Sequence, residues 1–159
     1  MKFICVLKKI DNFLKNLHVI LFILAMLIIN YCIVRMNLFS FLPDNNGARH
    51  IFRSKYNEFL EGVIIAPFFE TLIYQKVIIS LCCMWDELRK RKYLIVIISS
   101  FMFSLNHIYS PRYAVETFFS GGIVFAYSYL AYKDRSKYSF WVVFSIHALW
   151  NLFVMIFNS

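Results

Sequence analysis

The sequence predicts an all-α protein, a polytopic integral membrane bundle of about five transmembrane helices. Two observations lead to this fold class. First, 60% of the 159 residues are hydrophobic and the mean hydropathy is +0.62, which is far above an ordinary soluble domain. Second, the apolar residues fall into five runs long enough to span a bilayer, separated by short segments rich in lysine and arginine.

The five apolar runs divide the chain into a small N-terminal part and a larger core. They cover residues 17–34, 59–85, 93–110, 114–132 and 138–157. The connection after the first run is the longest, and it contains a turn-forming cluster from Pro43 to Gly47. We expect residues 1–58 to form an N-terminal tail, the first transmembrane helix and a loop. Residues 59–159 are expected to form a four-helix core.

The basic residues predict the orientation in the membrane. Four lie in the N-terminal tail, four in residues 89–92 and three in residues 133–137, whereas the alternate loops hold five. The positive-inside rule therefore places the N-terminus in the cytoplasm and the C-terminus outside, in the cell membrane. The net charge of +8 is explained by this topology, so we expect the lipid bilayer and no nucleic acid as a partner.

The second run contains an acidic residue at a position where lipid would surround it. A carboxylate near the middle of a membrane helix, such as Glu70, costs about 2.5–3.5 kcal/mol on insertion scales. Pro67 lies one turn earlier, where it lacks a helical N–H and leaves the Val63 carbonyl without its usual donor. Such a break needs packed protein or a wet cavity beside it. The acidic residue that follows this helix break is therefore a candidate functional site.

Three further polar residues lie at a depth similar to that of Glu70. His107 belongs to the third run, and His147 and Asn151 share one helical face of the fifth run at i, i+4 spacing. A carboxylate and an imidazole together can activate water, and a second imidazole and an amide can hold an oxyanion. Taken singly, a histidine or asparagine in a membrane helix can serve only to form a hydrogen bond to a neighbouring helix. Glu70 alone is also typical of a proton site in a transporter.

The order of these residues resembles three motifs of the CPBP family of intramembrane proteases, also called the Abi or CAAX prenyl protease type II family. The first family motif, Glu-Glu-x-x-x-Arg, aligns with Glu70 to Gln75. The second, Phe-x-x-x-His, aligns with Phe103 to His107, and the third, His-x-x-x-Asn, aligns with His147 to Asn151. Ala66-Pro67 before the acid and Gly121-Gly122 in the fourth run also resemble the family.

The resemblance implies an intramembrane endopeptidase whose catalytic core is residues 59–159. Glu70 and His107 would activate water, and His147 and Asn151 would stabilise the oxyanion. The expected substrate is a peptide or membrane protein, either a prenylated protein or an exported peptide such as a bacteriocin. Glu70, His107 and His147 can also ligate zinc as two histidines and a carboxylate, although the water mechanism needs no metal.

Two residues depart from the family pattern. Thr71 replaces the second glutamate of the first motif, and Gln75 replaces its arginine. We expect this neutral pair to hydrogen-bond across one helical face, together with Phe103 as the supporting residues of the site. The departures leave two alternatives open. One is an inactive family member that acts as a membrane regulator or immunity protein, and the other is a small proton-coupled transporter.

Overall fold

The computed structural model describes residues 2–44 and 52–157, and every regular element in these two ranges is helical. The all-α prediction is therefore confirmed for the described part of the chain. Residues 45–47 of the turn-forming cluster lie outside the described ranges. Arg49 and Ser159 lie outside them too. The helices are α1 (Lys2–Asn16), α2 (Val19–Arg35), α3 (Lys55–Met84), the single turn α4 (Asp86–Arg89), α5 (Lys92–Leu105), α6 (residues 111–133) and α7 (Ser139–Phe157).

Two helices of the described chain are long and apolar enough to cross a membrane. They are α3, with 30 residues, and α7, with 19 residues. The apolar helices α2 and α5 are shorter, and the 14 residues of α5 span only about 21 Å, against about 30 Å for the hydrocarbon core. Each of the five predicted runs coincides with a helix. Five crossings remain a prediction.

The helix α3 carries Glu70 and changes its hydrogen-bond register twice. Two π-helical segments, Glu58–Ile65 and Thr71–Val77, flank the α-helical segment Ala66–Glu70. In the first π segment the Ala66 N–H donates to the Glu61 carbonyl, five residues back. The next donor in this register would be residue 67, which is proline, so the carbonyl left without a backbone donor is that of Gly62. The sequence argument for Val63 assumed α-helical spacing, and for that carbonyl it stays a prediction.

The core is built where α7, α5 and α3 meet around α6, with α2 packed against α6 and α7. Its fully buried side chains include Phe22 of α2, Ile79 of α3, Ile95 of α5, Phe125 of α6 and Ile146 of α7. The large rings and branched side chains fill the space between the helices at the density of a protein interior. This packing holds the three segments that carry the site motifs in a fixed relation.

The helices α5 and α6 approach each other closely at a glycine. A Cβ atom added to Gly122 would lie 2.9 Å from the Cβ and 3.0 Å from the Cα of Ser100. One added to Gly121 would lie 3.0 Å from the ring of Phe103. Because only glycine leaves room for this contact, the pair Gly121-Gly122 sets the distance between the helices and the position of Phe103.

The N-terminal segment is a helix and not the tail that the sequence predicted. Within α1, Val6, Ile10 and Phe13 are exposed, and their spacing places them on one face. On another face, the Tyr127 hydroxyl of α6 donates to Asp11 at 2.8 Å. The four lysines predict the orientation, and the apolar residues between them recur at helical spacing, which is the signal for α1 in the sequence.

Candidate active site

The structure brings Glu70 together with both predicted histidines. The Nε2 atom of His147 lies 3.5 Å from one carboxylate oxygen of Glu70, and the Nε2 atom of His107 lies 3.8 Å from the other. The side chains of Glu70 and His107 remain 17% and 13% exposed, whereas that of His147 is 4% exposed. One carboxylate is thus placed between two imidazoles and remains accessible from outside the bundle.

His107 lies in a turn and not on the third membrane helix, where the sequence placed it. The helix α5 ends at Leu105, and the His107 N–H bonds to Ser104 three residues back. The chain leaves the helix because Pro111 begins α6, with Ser110 as its N-cap, and the residue before a proline is disfavoured in a helix. The turn directs the imidazole across the end of α5 toward α3.

A backbone carbonyl determines which nitrogen of His107 carries the hydrogen. The Nδ1 atom lies 2.9 Å from the carbonyl oxygen of Phe103. A carbonyl only accepts, so Nδ1 is the donor and the Nε2 lone pair of the neutral ring points toward Glu70. The spacing of Phe-x-x-x-His therefore has a physical reason, since it places the imidazole over a carbonyl of the last helical turn. In addition, the Phe103 ring packs against His107 with centroids 4.6 Å apart.

His147 is held by aromatic rings and by a hydroxyl. Phe125 lies 4.4 Å and Phe103 5.8 Å from its ring, centroid to centroid. Its Nδ1 atom lies 3.5 Å from the Thr71 hydroxyl oxygen, in a buried contact between residues 76 positions apart. With Glu70 ionised, the Nε2–H faces the carboxylate, and Nδ1 accepts from the Thr71 hydroxyl. The ionised carboxylate, which only accepts, thereby favours the tautomer in which Nε2 is a donor, and the Thr71 hydroxyl is placed to donate to Nδ1.

The predicted pair of Thr71 and Gln75 is wrong. Thr71 faces His147, and both polar atoms of the Gln75 amide are buried without a hydrogen-bond partner among the described residues. The Thr71 hydroxyl is directed at His147 of α7, 76 positions away, and not at the Gln75 amide on its own helix.

Asn151 is held on the backbone of α3. Its side-chain N–H donates to the Gly62 carbonyl at 2.8 Å, across 89 positions of sequence. This is the carbonyl that Pro67 leaves without a backbone donor. An amide has two N–H groups, so the bond to Gly62 fixes the amide plane and leaves the second N–H available. The structure therefore groups Glu70, His107 and His147 directly and gives Asn151 a different first partner.

The group has the chemistry of a general base with a hydrogen-bond donor beside it. A water oxygen about 2.8 Å from both Nε2 of His107 and the nearer Glu70 oxygen fits their 3.8 Å separation. The described residues include no group of three or more His, Cys, Asp or Glu side chains placed to hold a metal ion. Zinc held by Glu70, His107 and His147 therefore stays a prediction, and the side chains with one water suffice for the general-base chemistry.

The sequence did not predict the roles of two residues of the site. Phe125 packs on the His147 ring, and no sequence motif marks it. Thr71 was identified as a supporting residue, but its partner His147 was not foreseen. The available signal in the sequence was that Thr71 follows Glu70 directly.

Comparison with known proteins gives one family. Residues 54–153, well over half of the chain, match the family described as type II CAAX prenyl endopeptidase Rce1-like. Neither a curated protein nor a solved structure shows significant similarity to the chain. The matched region contains all three motifs, and the family is membrane-embedded, in agreement with the apolar helices α3 and α7. The chain belongs to the Rce1-like family of type II CAAX prenyl endopeptidases, a family of CAAX-type intramembrane proteases.

Proposed function

We propose that this chain is an intramembrane endopeptidase in which Glu70 and His107 activate the hydrolytic water. The observation that carries the proposal is the position of Glu70, with one imidazole nitrogen 3.5 Å and another 3.8 Å from its two oxygens. Membership of a CAAX-type protease family supports the reaction class. The proposed catalytic core is residues 59–159.

In the proposed reaction, His107 orients the water and Glu70 takes its proton. The Nε2 lone pair of His107 accepts one hydrogen bond from the water, and the ionised Glu70 removes the other proton as the oxygen attacks the peptide carbonyl carbon. The oxyanion that forms is held by the Nε2–H of His147 and the second N–H of Asn151. Glu70 then returns the proton to the leaving nitrogen, and the C–N bond breaks to give a carboxylic acid and an amine.

The proposed location follows from the charges. Five crossings with the N-terminus in the cytoplasm of the cell place the site in the outer half of the membrane. A substrate that reaches this depth is a membrane protein, a prenylated protein or an exported peptide. The orientation favours the exported peptide.

The test uses the full chain in nanodiscs with a farnesylated CAAX peptide and an unmodified peptide pool as probes. Glu70→Gln and His107→Ala should each lower cleavage, measured by mass spectrometry, by about 100-fold or more. The matched control is Glu61→Gln, which changes an exposed acid on the same helix. Undiminished cleavage by Glu70→Gln, or an equal loss in the Glu61 variant, would contradict the proposal.

A second candidate function is a non-catalytic membrane regulator or immunity protein. It is favoured by the neutral Thr71 and the buried Gln75, which has no hydrogen-bond partner in the described residues. In that case Glu70→Gln would leave a protective effect on cells intact. A proton-coupled transporter is distinguished by its dependence on the proton gradient, with Glu70 essential and Asn151 dispensable.

A further inference from the structure

We propose that the end of the bundle away from Glu70 contains a binding site for the headgroup of an anionic phospholipid. A cavity of about 420 Å³ opens between α1, the start of α5 and the end of α6. Four basic residues and one acidic residue line the cavity. The basic residues are Lys15, Lys90, Arg91 and Lys92.

The cavity keeps positive charge after its internal ion pairs are counted. Asp11, the acidic lining residue, is already engaged by Lys15 at 2.5 Å and by the Tyr127 hydroxyl at 2.8 Å. Lys92 pairs with Asp134 at 2.5 Å and Lys90 pairs with Glu87 at 3.3 Å, and neither acid lines the cavity. Arg91 has no ion pair with a described residue, so its guanidinium is available to an anion. Arginine binds phosphate oxygens with two N–H groups in a fixed plane, which suits a phosphodiester.

The floor of the cavity is apolar. Leu94 and Val96 of α5 line it from one side, and Leu130 and Ala131 of α6 line it from the other. A phosphate beside Arg91 would therefore have apolar surface directly below it, where the glycerol and the first acyl carbons of a lipid fit. A soluble phosphate would leave this surface uncovered. The combination of charge and floor favours a phospholipid.

The position of the cavity agrees with a lipid ligand. The exposed apolar face of α1, formed by Val6, Ile10 and Phe13, is typical of a helix lying in the membrane interface. The basic segments are the ones that the charge distribution assigns to the cytoplasmic surface, where anionic lipids are enriched. Leu94 lies 11 residues before the end of α5, about 16 Å along the helix, so the cavity is separate from the turn that carries His107 and from the Glu70 group.

The test measures lipid binding to the full chain in a non-ionic detergent. Short-chain phosphatidylglycerol, short-chain phosphatidylcholine and inorganic phosphate are titrated separately, and binding is followed by native mass spectrometry and thermal unfolding. Phosphatidylglycerol should bind and raise the melting temperature, and the other two should not. Arg91→Gln and Lys15→Gln should each weaken phosphatidylglycerol binding about fivefold.

The matched control is Arg89→Gln at the end of α4, two residues before Arg91. Arg89 pairs with Asp86 at 2.7 Å and does not line the cavity, so binding should be unchanged. If Arg89→Gln weakens phosphatidylglycerol binding as much as Arg91→Gln, the lipid is attracted by the general positive charge of this segment and not by a defined site. That result would overturn the proposal. Equal binding of phosphatidylcholine, or equal stabilisation by inorganic phosphate, overturns it as well, the latter because it identifies a soluble anion as the ligand.

Discussion

The Asn151 side chain donates a hydrogen bond of 2.8 Å to the Gly62 carbonyl and so joins α7 to the helix that carries Glu70. The bond compensates for Pro67, which has no N–H to offer in the π-helical register. Helix stability and site geometry thus depend on the same side chain, and the two contributions can be separated by experiment.

Replacing Asn151 by leucine should destabilise the protein. The Gly62 carbonyl would lose its donor, which costs about 1–3 kcal/mol when the group is buried. In a Pro67→Ala background residue 67 regains its N–H and can serve the carbonyl, so the same substitution should cost at least about 1 kcal/mol less. Unfolding in detergent, measured for all four members of this double-mutant cycle, gives the coupling.

Peptide cleavage by the same variants separates the two roles of Asn151. The variant with both substitutions should recover stability without recovering activity, because the second N–H of the amide is still missing. Equal costs of Asn151→Leu in both backgrounds would show that Pro67 and Asn151 act independently.

Thr71→Val should slow catalysis without unfolding the protein. Valine matches threonine in shape and removes only the hydroxyl that faces Nδ1 of His147. The expected drop in kcat is about tenfold, equivalent to a hydrogen bond of about 1.4 kcal/mol, with little change in KM. Thr71→Ser keeps the hydroxyl and is the control. If serine and valine variants lose the same activity, the methyl group and not the hydroxyl positions His147.

Gly122→Ala should destabilise the bundle more than the same change at Gly62. The new methyl group would lie 2.9 Å from the Ser100 Cβ, a distance that forces α5 and α6 apart at a cost of about 1–3 kcal/mol. At Gly62 the nearest atom is 3.6 Å away, and alanine there should be neutral or stabilising by up to about 1 kcal/mol. Thermal unfolding of the two variants is the measurement. A milder effect at Gly122 would mean that the helix crossing is not tightly packed.

The five predicted crossings can be tested by cysteine accessibility. Single cysteines at Ser136 and at Ser40, in a variant without the native cysteines, should react with impermeant reagents from opposite sides of the membrane. Ser136 is expected to be on the cytoplasmic side with residues 89–92. Labelling of both positions from one side would contradict the proposed topology.

Sequence reasoning identified the residues of the site better than their contacts. A carboxylate in an apolar run is costly enough to be noticed, and the imidazoles at matching depth identify its neighbours, so Glu70, His107 and His147 were predicted to meet. Helix identity was predictable for the same reason, because the apolar runs are long. These inferences depend on composition and spacing, which the sequence contains directly.

The missed features depend on helix register and on packing between distant segments. The π-helical segments of α3 leave the Gly62 carbonyl to the Asn151 side chain, and the Thr71 hydroxyl contacts His147 and not Gln75. Nothing in the local sequence marks that register, since it is stabilised by partners from α7. His107 was placed on a helix because the apolar run continues past Leu105, although Pro111 requires the chain to turn.

The distribution of the site between α3 and α7 has a consequence for biosynthesis. Glu70 is synthesised long before His147 and Asn151, and the Gly62 carbonyl has no side-chain donor until α7 has been inserted. A ribosome-bound chain therefore contains the acid without the groups that would hold an oxyanion. In the proposed peptidase, hydrolytic competence should arise only when α7 packs against α3, so a partly synthesised chain should not cleave peptides near it.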